Sequence, residues 1–262
     1  MTARGFYDRL AVDYHLLYAD WHASAHRQAD ALDALVGRAL GPGARSVLDC
    51  ACGIGTQAVG LAALGHRVVA TDLSPTAAAR ARREARARDL RLPVAAADMR
   101  ALPLPAASVE VVVCADNALP HLLTAADVRA ALAEMHRVLV PGGLLVVSTR
   151  PYDEIRATRP PGTPPHGSDT PAGRVVTFQL WHWHDDGEHY DLELFRVAER
   201  GGAWETRVDR TTYWALGRDR LAGFAAGVGL VDVAWHEPGE TGFFQPLLTA
   251  RKPAGGARSL FG

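Results

Sequence analysis

The octapeptide Asp49-Cys50-Ala51-Cys52-Gly53-Ile54-Gly55-Thr56 joins a short apolar strand, Ser46-Val47-Leu48, to the start of a helix. Gly53 and Gly55 let the backbone turn tightly and come close to a ligand, while the following helix aims its free amides at the same place. On either side of this turn, strands and helices alternate. Arg67–Thr71 reads as a second strand ending at Asp72, and Pro93–Ala97 as a weak third ending at Asp98. Val109–Ala115 is a fourth, apolar enough for burial on both faces, and Leu144–Ser148 is a fifth. Between them, Ser74–Asp89 reads as a helix capped by Ser74 with Pro75 at its first position. Ala125–Val140 reads as another, capped by Thr124 and stopped by Pro141-Gly142-Gly143. Strand, helix, strand at this spacing makes an α/β, Rossmann-like doubly wound parallel sheet with right-handed crossovers.

Beyond Tyr152 the pattern changes. Arg156–Gly173 holds five prolines and reads as a surface loop. Arg174–Trp183, Tyr190–Glu199 and Trp204–Trp214 follow as three strands, joined by the turn sequences Asp185-Asp186-Gly187 and Arg200-Gly201-Gly202. A short helix over Arg218–Gly227 precedes strands at Leu230–Trp235 and Phe244–Arg251, bringing the sheet to seven strands. The expected division is one domain over residues 1–252: a helical N-terminal lid (1–45), a ligand-binding core (46–152), a Pro-rich loop (153–173), a three-stranded antiparallel insertion (174–214) and the last helix and strands (215–252). Residues 253–262 read as a flexible tail.

Composition excludes several classes of protein. Lys and Arg number 28 against 29 Asp and Glu, a formal charge of −1, which argues against nucleic acid or an anionic membrane as the main partner. Hydrophobic residues make up 48% and charged residues 22%, as in a folded globule. Three cysteines cannot form a disulfide framework. No apolar run approaches the roughly 18 residues of a membrane span, and residues 1–20 carry Arg4, Asp8, Arg9 and Asp13 without an apolar stretch, so no signal peptide is expected. The expectation is a cytoplasmic enzyme with a small-molecule substrate; self-association is left open.

Three successive strands each end in an aspartate. A single one could be a cap or a turn residue, but three in order form a constellation. Asp49 would repel a pyrophosphate and pair with an ammonium. Asp72 can accept both hydrogen bonds of a ribose diol, and Asp98 can accept from an exocyclic amine with Met99 against the ring. A dinucleotide site is the competing reading of the glycine turn, with Ala58 where its third glycine usually stands.

These residues, with Leu139-Val140-Pro141-Gly142-Gly143, resemble the class I S-adenosylmethionine-dependent methyltransferases over about Val47–Ser148. The resemblance implies S-adenosylmethionine as cofactor. It implies Asp49 and Gly53 to Gly55 near the methionine portion, Asp72 on the ribose, and Asp98 with Met99 at the adenine; Ala51, Cys52, Leu73 and Ala115 are further candidate cofactor contacts. A narrower resemblance is to glycine and sarcosine N-methyltransferases and their bacterial small-molecule relatives. It rests on Cys114-Ala115-Asp116-Asn117-Ala118-Leu119-Pro120-His121-Leu122, on Arg150-Pro151-Tyr152-Asp153, and on the inserted strands. Pro151 stands where that family has Asn, which puts glycine itself as substrate in doubt. Tyr7, Tyr14, Trp21 and Arg27 are similar in kind to the family's lid, with Tyr14 and Arg27 as contacts to the cofactor.

Asn117, His121 and Arg150 follow strand ends and are the candidate catalytic residues. Arg150 suits a substrate carboxylate, and His121 could orient or deprotonate a nucleophile. With Tyr152, Trp181 and Tyr213 they make up the candidate substrate site. The expected reaction is methyl transfer to an amine nitrogen of a small polar or zwitterionic molecule. The alternatives are O-transfer with His121 as base, a nicotinamide-dependent oxidoreductase, and a binding protein without turnover. Trp181-His182-Trp183-His184 has the alternation of some metal sites but lacks further ligands, so no metal is expected. Arg80, Arg82, Arg83, Arg86 and Arg88 spread around their helix as a solvated surface.

Overall fold

The computed structural model describes residues 2–170 and 173–255. The chain begins with helices α1 (Ala3–Leu10) and α2 (Trp21–Leu40), then alternates β1 (Ser46–Cys50), α3 (Thr56–Ala63), β2 (Arg67–Asp72) and α4 (Pro75–Arg86). It continues through β3 (Val94–Ala96), β4 (Val109–Cys114), α5 (Ala125–Val138), β5 (Leu139–Ser148) and α6 (Tyr152–Thr158). Four long strands follow: β6 (Gly162–Thr170), β7 (Gly173–Trp183), β8 (His189–Arg200) and β9 (Ala203–Trp214). The described chain closes with α7 (Arg218–Gly227), β10 (Val231–His236), α8 (Pro238–Thr241) and β11 (Leu247–Arg251).

Seven strands form one sheet in the order β10-β11-β5-β4-β1-β2-β3, parallel from β5 to β3, with β11 antiparallel to both its neighbours. This is the expected doubly wound α/β sheet. Its central strands β1 and β4 place apolar side chains on both faces because each face carries a core. Val47, Val111, Val113, Leu144 and Val146 pack under α2, α3 and α4. Their neighbours Leu48, Val112, Cys114, Leu145 and Val147 pack under α5 and α7. The strand order reverses between β1 and β4, and it is at such a switch point, beyond the carboxyl ends of the strands, that open sheets hold ligands. Ser74 caps α4 through Ala77 N–H at 3.0 Å, and Thr124 caps α5 through Asp127 N–H at 3.1 Å, both as the sequence reads.

The insertion departs from expectation. It is a four-stranded antiparallel sheet, β6-β7-β8-β9, because the described part of the Pro-rich segment is ordered structure, α6 and β6, and not loop. Prolines are compatible with β6 because it is an edge strand. Pro164 and Pro165 occupy the irregularity where the register passes from Thr163↔Gln179 to His166↔Thr177. Pro171 and Ala172 lie outside the described residues, as do residues 256–262 of the expected tail.

Helix α1 packs Phe6 and Leu10 against Trp181, Tyr190, Leu192, Leu194 and Tyr213 on the inner face of this sheet. Ion pairs fix the same contact: Arg9 donates to Asp209 at 2.8 Å, while the buried Arg196 binds Asp209 and, at 2.8 Å, Asp13. The N-terminal segment is thereby held over the switch point.

Helix α3 packs closely on α2 at Gly60, where a Cβ would stand 2.6 Å from Ala29 Cβ and 2.8 Å from the carbonyl oxygen of Ala25. In a free helix Gly→Ala stabilises by about 1 kcal/mol. Here Gly60→Ala should instead destabilise by about 1–3 kcal/mol through overpacking. Urea unfolding midpoints of wild type and variant check the sign.

Candidate active site

Asp49, the penultimate residue of β1, is wholly buried. The amide of Ala58 in the first turn of α3 faces it, but neither carboxylate oxygen completes a hydrogen bond within the protein. Burial, and then the charge of Asp72, push its carboxyl up to about 7. Asp72 is better supported. Its two oxygens accept from Gly53 N–H and Ser74 N–H, each at 2.8 Å, and burial raises it only to about 6. The glycine turn itself needs left-handed backbone at Gly53 (φ 56°) and Gly55 (φ 97°), which glycine adopts without strain.

Above the turn lies a cavity of about 360 Å³. Nine of the twelve expected cofactor contacts line it: Ala51, Cys52, Gly53, Asp72, Leu73, Asp98, Met99, Ala115 and Tyr14. Gly55 underlies the turn, where a Cβ would lie 3.2 Å from Ala81 Cβ. Asp49 is not on the cavity wall, a correction to the expected direct contact, so its charge acts on a ligand from beneath the turn. Arg27 is a second correction: it is exposed on α2 and lines no cavity. Asp98 reaches the wall already paired with Arg100, which holds its carboxyl below the usual range and also binds Asp127 at 2.6 Å.

A second cavity of about 210 Å³ adjoins the first, and Tyr7, Tyr14 and Asp116 line both. Asn117, Arg150 and Tyr213, three of the candidate substrate residues, line the second. Tyr152 and Trp181, also expected there, stand behind the wall. Tyr152 Oη accepts from Asn117 Nδ2 at 2.9 Å, and Trp181 donates to Gln179 at 2.9 Å while its ring lies 5.0 Å from the Arg150 guanidinium. They are braces: large aromatics in the right loops, but consumed by supporting Asn117 and Arg150. Asn117 is itself a strut, because its Oδ1 accepts from the Arg150 amide at 3.1 Å.

His121 sits in a single turn, Leu119–His121, and lines the larger cavity. Its Nε2 lies 2.8 Å from Tyr7 Oη, its Nδ1 lies 3.3 Å from Thr211 Oγ1, and its ring centroid lies 4.1 Å from that of Tyr213, tilted by 37°. Burial, and then the charge of Arg150, push it down to about 3, so the ring stays neutral. Tyr7 is raised well above its ordinary value by burial and keeps its proton. A neutral imidazole that resists protonation is a poor base for a hydroxyl.

Asp116 was not among the expected site residues. It lies two residues beyond β4, the same placement that singled out the other strand-end aspartates, and Tyr14 and Tyr18 both donate to its Oδ2, at 2.8 and 2.9 Å. Among the described residues no group of three or more His, Cys, Asp or Glu could hold a metal. His182 faces Glu193 at 3.4 Å, and His184 faces Asp191 at 3.3 Å. No helix among them is long and apolar enough to cross a membrane.

The family profile described as "Methyltransferase domain" matches residues 47–143, which carry the glycine turn and all three strand-end aspartates. Residues 47–143 are a class I S-adenosylmethionine-dependent methyltransferase domain. Over 137 residues the chain is 39% identical to a glycine/sarcosine N-methyltransferase of Parasynechococcus marenigrum, covering 52% of this chain and 48% of that protein. Over 111 residues it is 40% identical to a demethylmenaquinone methyltransferase of Thermus thermophilus, covering 42% and 49%. The chain thus spans about half the length of the curated relatives it matches. The fold also superposes on the sugar N-methyltransferase of a Streptoalloteichus species with a TM-score of 0.74, 22% identity and 92% of each chain covered. The methyltransferase cavity suits its cofactor: Asp72 for a diol, an apolar edge at Met99 and Leu122, and the unbonded charge of Asp49 favouring a cationic ligand.

Asp49 sets a pH dependence. Its folded value of about 7 exceeds the ordinary 3.8, so between these values the folded protein holds a proton that the unfolded chain has lost. Stability therefore falls as pH rises through that window, by up to about 1.4 kcal/mol per unit from this group. Asp72 adds a similar slope up to about pH 6. Chemical denaturation of the ligand-free protein from pH 4 to 7 should show a shallower fall for Asp49→Asn than for wild type; parallel curves would refute the assignment.

Proposed function

We propose that the protein transfers a methyl group from S-adenosylmethionine to an amine nitrogen of a small polar or zwitterionic molecule. The carrying observation is Arg150. Arg150 is half-buried, lines the second cavity and among the described residues pairs with no carboxylate. Its partners are Tyr190 Oη at 2.9 Å, Gln179 Oε1 at 3.3 Å and the rings of Trp181 and Tyr213 at 5.0 and 5.4 Å. Arginine does not lose its proton in a protein, and a half-buried cation without an acid is poorly compensated until an anion arrives. The cavity that adjoins the cofactor cavity therefore favours an acceptor with a carboxylate.

Bound in the larger cavity, S-adenosylmethionine supplies a methyl group made electrophilic by its sulfonium. Arg150 anchors the far end of the acceptor in the smaller cavity. Tyr7, Tyr14 and α1 close over the junction and exclude water, so the gain comes from holding the nucleophile in line. A neutral amine needs no base during transfer, in keeping with a neutral His121 at the wall, and this favours nitrogen over oxygen. Several relatives are named N-methyltransferases, which supports the same reading.

The test is formation of S-adenosylhomocysteine with a panel of amino acids and other small amines beside hydroxyl compounds of matched size. Turnover is expected only with amines, most with those bearing a carboxylate. Arg150→Ala should lower kcat/KM by about 100-fold or more while S-adenosylhomocysteine binds within about twofold of wild type. Turnover confined to hydroxyl acceptors, or undiminished in Arg150→Ala, overturns the proposal.

A further inference from the structure

Resting on the reading of the second cavity as an acceptor site, we propose that Asp116 holds the acceptor nitrogen and meets the positive charge that develops on it. Tyr7, Tyr14 and Asp116 alone line both cavities among the described residues, and Asp116 is the one ionisable acid of the three. In the run 111–120 every residue is buried except Asp116. Its backbone is held in place: φ is 55° at Asp116 and 63° at Asn117, and the Asp116 amide donates to Ser148 Oγ at 2.7 Å. Two adjacent non-glycine residues in left-handed backbone persist where the surroundings over-determine them, and such positions cluster at sites of function.

The hydrogen bonding of the carboxylate is one-sided. Both tyrosine hydroxyls donate to Oδ2, and Oδ1 accepts no hydrogen bond from the described residues. Among the described residues Arg150 and Asp116 are the only charged side chains lining the smaller cavity, yet they do not pair with each other. A cation without an acid and an acid with only neutral partners, on one small cavity, define the occupant. Its carboxylate goes to Arg150 and its nitrogen to Oδ1 of Asp116, at the junction with the cofactor cavity.

The transfer step balances on this arrangement. The bound ammonium first loses a proton to solvent, and the freed nitrogen lone pair then forms the N–C bond as the C–S bond breaks with its electrons left on sulfur. The positive charge passes to nitrogen beside the fixed carboxylate. A preorganised anion at the atom where positive charge develops lowers the barrier without reorganisation.

The experiment uses the full chain saturated with S-adenosylhomocysteine and titrates six probes by calorimetry. Glycine, β-alanine and γ-aminobutyrate carry amine and carboxylate; acetate, propionate and butyrate match them without the amine. In wild type the best amino carboxylate should bind about tenfold or more tighter than its matched carboxylate. Asp116→Asn should bring that ratio close to one while affinities for the plain carboxylates and for S-adenosylhomocysteine stay within about twofold. Asp116→Glu, which keeps the charge, should restore part of the preference. A preference unchanged in Asp116→Asn overturns the role of Asp116 and leaves the acceptor site standing. An equal loss across all six probes and S-adenosylhomocysteine makes Asp116 a lid support only and also overturns it. Failure of all six probes to bind wild type overturns the acceptor site itself.

Discussion

The carboxylate of Asp72 takes the amide of Gly53 on one oxygen and the amide of Ser74 on the other, and these two bonds join the turn after β1 to the turn that starts α4. Ser74 extends the link, because its hydroxyl caps α4 and donates to Asp8 of α1 at 2.6 Å. One buried side chain thus fixes the cavity floor, the first turn of a core helix and the base of the lid. Burial works against its charge and the two amides work for it; the outcome, a carboxyl near 6, keeps it largely ionised at neutral pH. Without those amides the acid would neutralise and the glycine turn would lose its tether.

The lid depends on this base and on a second set of contacts at its other end. Arg9 and Asp13 enter an ion-pair network with Arg196 and Asp209 of the inserted sheet, and Arg196 and Asp209 are themselves buried. Buried ion pairs contribute little net stability, since desolvation offsets their attraction, but they tolerate few geometries. Here they set the register of α1 against β8 and β9, and that register brings Tyr7 to His121 and Tyr14 to Asp116. The two cavities exist as a pair because this helix crosses their junction.

Much of this was legible along the chain. Asp72, Asp98, Met99 and the glycine turn could be placed because strand periodicity, caps and turn residues are local signals, and a strand end in a parallel sheet has one location. What misled was equally physical. Asp49 looks like a contact, yet as the penultimate residue of a central strand it is buried beneath its own turn. Tyr152 and Trp181 occupy the right loops, but their polar atoms are spent on Asn117 and Gln179. Pro164 and Pro165 of the supposed loop sit in an edge strand, at a break in its register, where a missing N–H costs little. Arg27 lies on the exposed side of α2, a matter of helix phase that weak sequence similarity does not resolve.

By itself the sequence determined the doubly wound sheet, its glycine turn and the aspartates at its strand ends, because each depends on residues within a turn or two of one another. Only the tertiary structure decided that Arg150 faces a cavity without pairing with an acid, that His121 is neutral, and that Asp116 stands where two cavities join. The contacts responsible link residues 102 positions apart for Tyr14 and Asp116 and 114 apart for Tyr7 and His121. Charge state follows from burial, and burial is a property of the packed molecule that no local pattern encodes.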